Sequence, residues 1–502
     1  MALPPLPESP SIVHRERLSA RAAGALDALL VMVSAQASAA SLASLPEAER
    51  WRGLHARSTP LAGSVRSTAL ANPRQTRAVL GYLGARASPF ETLALAGRML
   101  KEACAPEVAS IGLAVAGGAP AESQSALLSG ALAQAFALPD FRSTRTRSRA
   151  GIRRIELVGE APRDLRFVRA SAQANNLARY LTALPANKLD ASSYRRALGA
   201  LARQHGLAMR WLGEPALRRL GAEAFLAVAA GNAERTAGIA HLRYRPARAR
   251  SRTAPLALVG KGVLFDTGGN NLKPHRAMLD MHIDMAGSAV AVATLIALAE
   301  LRVPFAADAW LAISENRIGP RAYRPQDVVR AANGTTIQVI HTDAEGRMLL
   351  ADTLALAGRS GPRLMIDFGT LTGACVYALT ERMSGVFTNE PRLTERLLAA
   401  GRASGERVWS FPFDADYDSD LESKVADVMQ CATDGKGDHI LAARFLSRFV
   451  PRDVPWVHLD LAAALRPGGL GHINTDVTGF GVRYALQLLV RERLLDQLRE
   501  AA

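Results

Sequence analysis

A chain of 502 residues with 49% hydrophobic content is long enough for two or more domains with sizeable cores. It has no run of eighteen or more apolar residues, which argues against a membrane span, and Cys104, Cys375 and Cys431 form neither a metal-ligand spacing nor an even disulfide framework. These features suit a soluble protein of the reducing cytoplasm, while a formal net charge of +15 calls for an explanation.

Residues 25–34 are apolar but short, carry Asp27 and follow no clean basic segment, so they read as a buried strand and not as a signal peptide. Residues 29–34 and 110–115 read as strands, and 90–103 and 123–136 as helices. Residues 1–160 therefore read as a smaller N-terminal α/β domain with no acidic cluster. Arginines gather at Arg142, Arg145, Arg147, Arg149, Arg153 and Arg154, and again at Arg243, Arg245, Arg248, Arg250 and Arg252. Such clusters would suit nucleic acid. A solvated loop is the plainer reading, because no recognition motif or stacking aromatics accompany them.

Residues 161–502 read as a larger domain. A long helix over 164–184 carries Asn175-Asn176-Leu177-Ala178-Arg179 and breaks at Pro185; a second helix covers 194–206. Residues 224–229 read as a short apolar strand. A buried strand at 256–259 delivers Lys261 and Asp266, and Gly268-Gly269 permits φ > 0 or close backbone approach before Lys273. Asp284 precedes a small, apolar helix over 286–299. Residues 305–314 and 363–368 are further buried strands. Strands alternating with helices imply a mostly parallel, helix-covered sheet.

The chemistry concentrates at His341-Thr342-Asp343-Ala344-Glu345-Gly346-Arg347. The β-branched run 335–340 after Asn333-Gly334 predicts a strand before it, and 348–357, ending at Gly358, predicts a helix after it. An i, i+2 spacing puts Asp343 and Glu345 on one side of an extended segment. With Asp266 and Asp284 they make four carboxylates, accompanied by Lys261 and Lys273. An oxygen-rich set without histidine or cysteine suits hard or borderline divalent cations, and such ions would relieve the repulsion among the carboxylates.

Both stretches resemble signatures of the leucyl aminopeptidase (cytosol aminopeptidase) family of two-metal exopeptidases. The resemblance runs over about residues 165–490 and is strongest between 256 and 380, where Val259-Gly260-Lys261-Gly262 leads to Phe265-Asp266-Thr267-Gly268-Gly269. It implies that Lys261, Asp266, Asp284, Asp343 and Glu345 bind two divalent ions, zinc or manganese. It also implies that Lys273 stabilises the tetrahedral intermediate and that Arg347 holds a bicarbonate acting as general base. Met281, Thr370 and Gly373 would line an apolar pocket for the first side chain of a peptide, the Leu371 carbonyl would accept from the peptide, and the assembly would be a homohexamer.

The chain departs from the family pattern at His341, where asparagine is usual, at Asn270-Asn271, and at Asp434-Gly435-Lys436-Gly437-Asp438-His439, where the family often has a glycine-rich loop. His341, His275 and His282 read as packing or solvated groups, and His458 as a satisfied core histidine. Two other readings compete with the peptidase: a DNA-binding accessory protein on the same fold, and a scaffold without catalysis. The second is disfavoured because every expected ligand type is present.

Overall fold

The computed structural model describes residues 3–104, 107–143, 151–247 and 254–500. Six strands come from the first part of the chain: β1 (Ser11–Arg15), β2 (Ala28–Ser34), β3 (Val65–Ala69), β4 (Arg77–Leu83), β5 (Ser110–Ala116) and β6 (Arg154–Val158). They form one sheet in the order β1-β6-β5-β2-β4-β3, parallel except for the antiparallel edge strand β3. The continuous apolar run of β2 has a physical reason. Leu30 and Met32 pack under helices Pro89–Ala103 and Ser123–Ala135, whereas Leu29, Val31 and Val33 pack against Trp51 and Leu54 of helix Ala48–Ala56 on the other face. A strand buried on both faces needs no polar alternation.

The rest of the chain supplies β7 (Ala208–Gly213), β8 (Gly238–Tyr244), β9 (Leu256–Asp266), β10 (Ala307–Asn316), β11 (Val328–Arg330), β12 (Thr336–Gln338), β13 (Leu364–Gly369), β14 (Ser384–Thr388), β15 (Val408–Ser410), β16 (Val428–Met429) and β17 (Trp456–Asp460). Eight of them make the main sheet, in the order β15-β14-β17-β13-β9-β10-β8-β7. Its centre, β17-β13-β9-β10, is parallel, so all four strands end on one edge. Leu256 and Leu258 of β9 face helices Leu165–Thr182 and Ala286–Glu300, and Ala257 and Val259 face helix Glu345–Gly358. Helix-covered on both sides, this is the sheet expected from the alternation of elements.

Helix Leu165–Thr182 ties the two sheets together through buried polar groups. Asn176 donates to the Leu132 carbonyl, and Asn175 donates to those of Thr478 and Gly479. Arg179, 1% exposed, reaches Asn176 and Thr475. Satisfied networks of this kind fix geometry more than they add stability. The helical stretch His275–Glu300 is long and apolar enough by length and composition to cross a membrane, but 89% of its apolar window lies inside the fold, as in a core helix.

Three expectations need correction. Residues 224–229 are helical, within Glu223–Ala229, and not a strand. A six-residue apolar run carries no decisive period, and alanine, leucine and phenylalanine here bury against helix Glu345–Gly358. The strand before the acidic motif is only Thr336–Gln338 and belongs to a separate three-stranded sheet, β11-β12-β16. The Asn333-Gly334 turn before it does form, with Gly334 at φ +96°. Finally, Asp343 and Glu345 do not share an extended segment: Asp343 lies in a turn, and Glu345 is the first residue of its helix.

Of the clustered arginines, Arg142, Arg154 and Arg245 pair with Asp140, Glu156 and Asp308. Arg145, Arg147, Arg149, Arg248, Arg250 and Arg252 lie outside the described residues.

Asp352, buried in helix Glu345–Gly358, accepts from the backbone N–H groups of Phe225 and Ala332 and so holds helix Glu223–Ala229 in place. Burial pushes its carboxyl up to about 7 from an ordinary 3.8. The folded state thus binds this proton more tightly than the unfolded chain, a contribution fully present below pH 3.8 and lost as pH rises through 7. Asp352→Asn should therefore flatten the decline in stability across that window. Asp352→Ala, which orphans two buried donors, should cost about 2–5 kcal/mol by urea denaturation.

Candidate functional site

The candidate site is assembled where the parallel strands end. Asp266 is the last residue of β9, Asn316 that of β10 and Asp460 that of β17, while Thr370 follows β13 directly. Such an edge, outside the carboxyl ends of the strands, is where open α/β sheets carry ligands. Lys261 projects from β9 itself, a few residues before its end.

Six of the predicted residues converge here as two interlocked ion-pair sets. Lys261 Nζ lies 2.7 Å from Asp284 Oδ1 and 2.9 Å from Glu345 Oε1, and donates to the Thr370 carbonyl at 2.8 Å. Lys273 Nζ lies 2.9 Å from Asp266 Oδ2 and 2.6 Å from Asp343 Oδ1. Asp266, Asp343 and Glu345 each bring an oxygen within 4.8 Å of the others. Thr370 Oγ1 donates to Asp284 Oδ1 at 2.7 Å.

The electrostatics follow from four carboxylates and two ammonium groups in a buried space. Burial, then the neighbouring carboxylates, raise the pKa values of Asp343 and Glu345 despite the lysines; burial likewise raises Asp284. Burial works against charge on Lys261 and Lys273 as well, but the surrounding carboxylates outweigh it and hold both protonated. The set is short of positive charge. Asp284 Oδ2 and Glu345 Oε2 are buried and have no hydrogen-bond partner among the described residues. Unpartnered carboxylate oxygens on an oxygen-dominated donor set fit divalent cations, and a neutral Lys261 could add a nitrogen.

Local sequence explains the convergence. Gly268 and Gly269 take φ +85° and +64°, which turns the chain so that Gly268 N–H caps Asp266 Oδ1. A Cβ on Gly268 would meet the Asn271 carbonyl at 2.4 Å and Asp343 Oδ1 at 3.0 Å, so the close approach requires glycine. Two of the unusual residues have structural work: Asn271 bonds reciprocally with Thr342, while Asn270 reaches the Tyr323 carbonyl. His341 accepts from the Asp343 N–H through Nδ1, and burial followed by Lys273 lowers its pKa. His458 is fully buried against Asp367 at 2.6 Å.

Arg347 is 1% exposed, and it differs from expectation. Its Nη2 donates to both oxygens of Asp438, at 2.7 and 2.8 Å, and its Nη1 donates to the Gln430 carbonyl. The guanidinium expected to hold a free bicarbonate is already engaged by the chain's own carboxylate; the residues present do not fit that ion. Among the pocket candidates, Thr370 joins the cluster and Leu371 N–H is fixed by Asp460 Oδ1 at 3.0 Å. Met281 lies in the turn three residues before Asp284, and Gly373 is exposed at the start of helix Gly373–Leu379.

Sequence reasoning missed Asn316, Gln430, Asp438 and Asp460. Asn316 donates to Asp266 Oδ1 and to the Thr342 carbonyl; Gln430 joins Ile340, His341 and Ala344. Asn316 and Asp460 carried a signal, being polar residues that close buried strands. A separate cavity of about 940 Å³, lined in part by Asp190, Asn232, Glu315 and Arg317, contains none of the cluster.

The pattern described as "Cytosol aminopeptidase family, catalytic domain" matches residues 176–486. The chain belongs to this family. A probable cytosol aminopeptidase of Syntrophotalea carbinolica is 42% identical over 317 residues, 63% of this chain and 63% of the relative. One from Prochlorococcus marinus is 39% identical over 366 residues, 70% and 73% of the two chains. The chain thus spans under two thirds of the length of some curated relatives, 60% for the protein of Solibacter usitatus. Among solved structures, the bottromycin maturation enzyme BotP in complex with Mn aligns with a TM-score of 0.80 at 31% identity, over 93% of this chain and 99% of its own. A tomato leucine aminopeptidase mutant aligns at 0.85 and 28% identity, over 98% and 99%.

Gly346 tests this packing, because a Cβ there would meet Lys261 Cε at 2.5 Å. Overpacking of this kind costs about 1–3 kcal/mol, so Gly346→Ala should weaken Mn²⁺ binding roughly tenfold by calorimetry, with an unchanged circular dichroism spectrum.

Proposed function

We propose that the chain is a metal-dependent aminopeptidase releasing apolar, Leu-like residues from the N-termini of peptides. The observation that carries this reading is the convergence of Lys261, Lys273 and four carboxylates at the ends of parallel strands. Membership of the cytosol aminopeptidase family and the Mn complex of BotP support it. Asp266, Asp284, Asp343, Glu345 and Lys261 would hold two divalent ions, zinc or manganese, which supply Lewis acidity toward a carbonyl and lower the pKa of water.

The remaining chemistry belongs to the chain's own groups. Lys273, charged and aimed into the cluster, stabilises negative charge developing on the carbonyl oxygen. Asp460 Oδ1 accepts from the Leu371 N–H and from the Thr372 N–H, and the latter shares its peptide plane with the Leu371 carbonyl that would accept from the substrate backbone. Met281, Thr370 and Gly373 would wall the pocket for the first side chain. We place the domain division between residues 160 and 161, and the expected homohexamer and cytoplasmic location belong to the same proposal.

The test is hydrolysis of Leu-p-nitroanilide by metal-stripped protein, with and without Zn²⁺ or Mn²⁺. Metal should restore activity to the wild type and not to Asp343→Ala. Lys273→Ala should lower kcat by roughly 10²–10³-fold with a smaller change in KM, as for loss of an oxyanion-stabilising donor. No turnover of any aminoacyl substrate by metal-loaded protein would refute the reading.

A further inference from the structure

Arg347 and Asp438 make an ion pair that the metal cluster does not require. Burying a guanidinium almost completely calls for an anionic partner. The chain supplies one in the segment that departs from its family's glycine-rich pattern. Gly437, at φ +58°, turns the backbone so that Asp438 opens helix Asp438–Ser447 with its carboxylate against Arg347 Nη2. The arginine side chain is 1% exposed and the aspartate 27%, so the carboxylate has one side on the guanidinium and another open.

Hydrogen bonds through Gln430 locate the pair. The Gln430 carbonyl accepts from Arg347 Nη1, its Oε1 accepts from the Ile340 and His341 N–H groups, and its Nε2 donates to the Ala344 carbonyl, which sets the ion pair beside the turn bearing Asp343. On the other side, His439, next in the chain after Asp438, packs on Phe387 and Phe411, and Phe387 also lies against His458 of the strand that ends at Asp460. Asp460 in turn holds the loop at Leu371 and Thr372.

We propose that the Asp438 carboxylate, seated on Arg347, is this chain's own proton acceptor for the attacking water, and that no free planar oxyanion is needed on that arginine. The proposal rests on the hydrolytic reading above. As the water oxygen bonds to the scissile carbonyl carbon, one water proton passes to Asp438. As the C–N bond breaks, the proton passes on to the departing amine nitrogen, and the carboxylate is restored. Arg347 is a positioning residue that holds this carboxylate in place through Nη2.

The experiment uses Mn²⁺-loaded protein in buffer depleted of carbon dioxide, assayed with and without millimolar bicarbonate or formate. Wild-type kcat should change by less than about twofold on addition, whereas Asp438→Ala and Asp438→Asn should each lose roughly 10²-fold, the scale of a general base. Bicarbonate or formate should restore about tenfold or more to Asp438→Ala and nothing to Asp438→Asn, whose amide still fills the seat. A second readout does not depend on turnover: ¹³C-bicarbonate should be broadened by the bound Mn²⁺ in Asp438→Ala and not in the wild type. Broadening in the wild type, stimulation of the wild type by bicarbonate, or full kcat in Asp438→Ala without any added anion would overturn the proposal. If Asp438→Ala fails to fold, Asp438→Asn and the wild-type ¹³C measurement decide it. If the wild type hydrolyses nothing, the peptidase reading fails, while the ¹³C measurement still reports who occupies Arg347.

Discussion

Four carboxylates buried within reach of one another, held by only two ammonium groups, are the constraint on which the catalytic part of this structure turns. Asp266, Asp284, Asp343 and Glu345 repel each other and have lost most of their water, and both effects drive the carboxyls Asp284, Asp343 and Glu345 toward protonation. Lys261 and Lys273 answer part of that charge, each bridging two carboxylates. What remains, with unpartnered oxygens on Asp284 and Glu345, favours binding of further positive charge. A fold selected for stability alone would have little use for this arrangement, since buried ion sets seldom outperform well-packed apolar residues.

The surrounding fold makes the arrangement tolerable by rigidity. Four parallel strands deliver Asp266, Asn316, Thr370 and Asp460 to one edge, and strand register leaves them little freedom. Glycines at 268 and 346 let backbone and Lys261 approach where any side chain would collide. The loop bearing Asp266 and Lys273 and the turn bearing Asp343 are laced together by Asn271, Thr342 and Tyr323, which fixes the two carboxylates of the Lys273 set relative to each other. Glu345 and Arg347 leave the same helix start, which places one anion in the cluster and one cation at its margin.

Much of this was legible in the chain, for identifiable reasons. Strands buried on both faces leave continuous apolar runs, and residues 29–34 and 256–259 could be placed without knowing their partners. A buried strand running into a Gly-Gly turn marked Lys261 and Asp266, whereas Asp343 stood out through its own acidic motif, since the strand before it is short and lies in another sheet. Residues 224–229 misled because six apolar residues fit a helix as well as a strand, and only contact with helix Glu345–Gly358 decides between them. Asp343 and Glu345 converge through a turn into a helix, a geometry that their spacing alone does not distinguish from an extended one. Asp438 lies 91 positions from Arg347, so their pairing exists only in three dimensions. The segment around it was visible as a departure, but its meaning required the partner.

The most direct measurement of the central claim is electron paramagnetic resonance of metal-stripped protein titrated with Mn²⁺. If the charge deficit holds two ions within about 4 Å of each other, the saturated protein should take up two ions per chain and give a spin-coupled spectrum. Uptake of a single ion with the six-line signal of isolated Mn²⁺, or no uptake, would contradict the account.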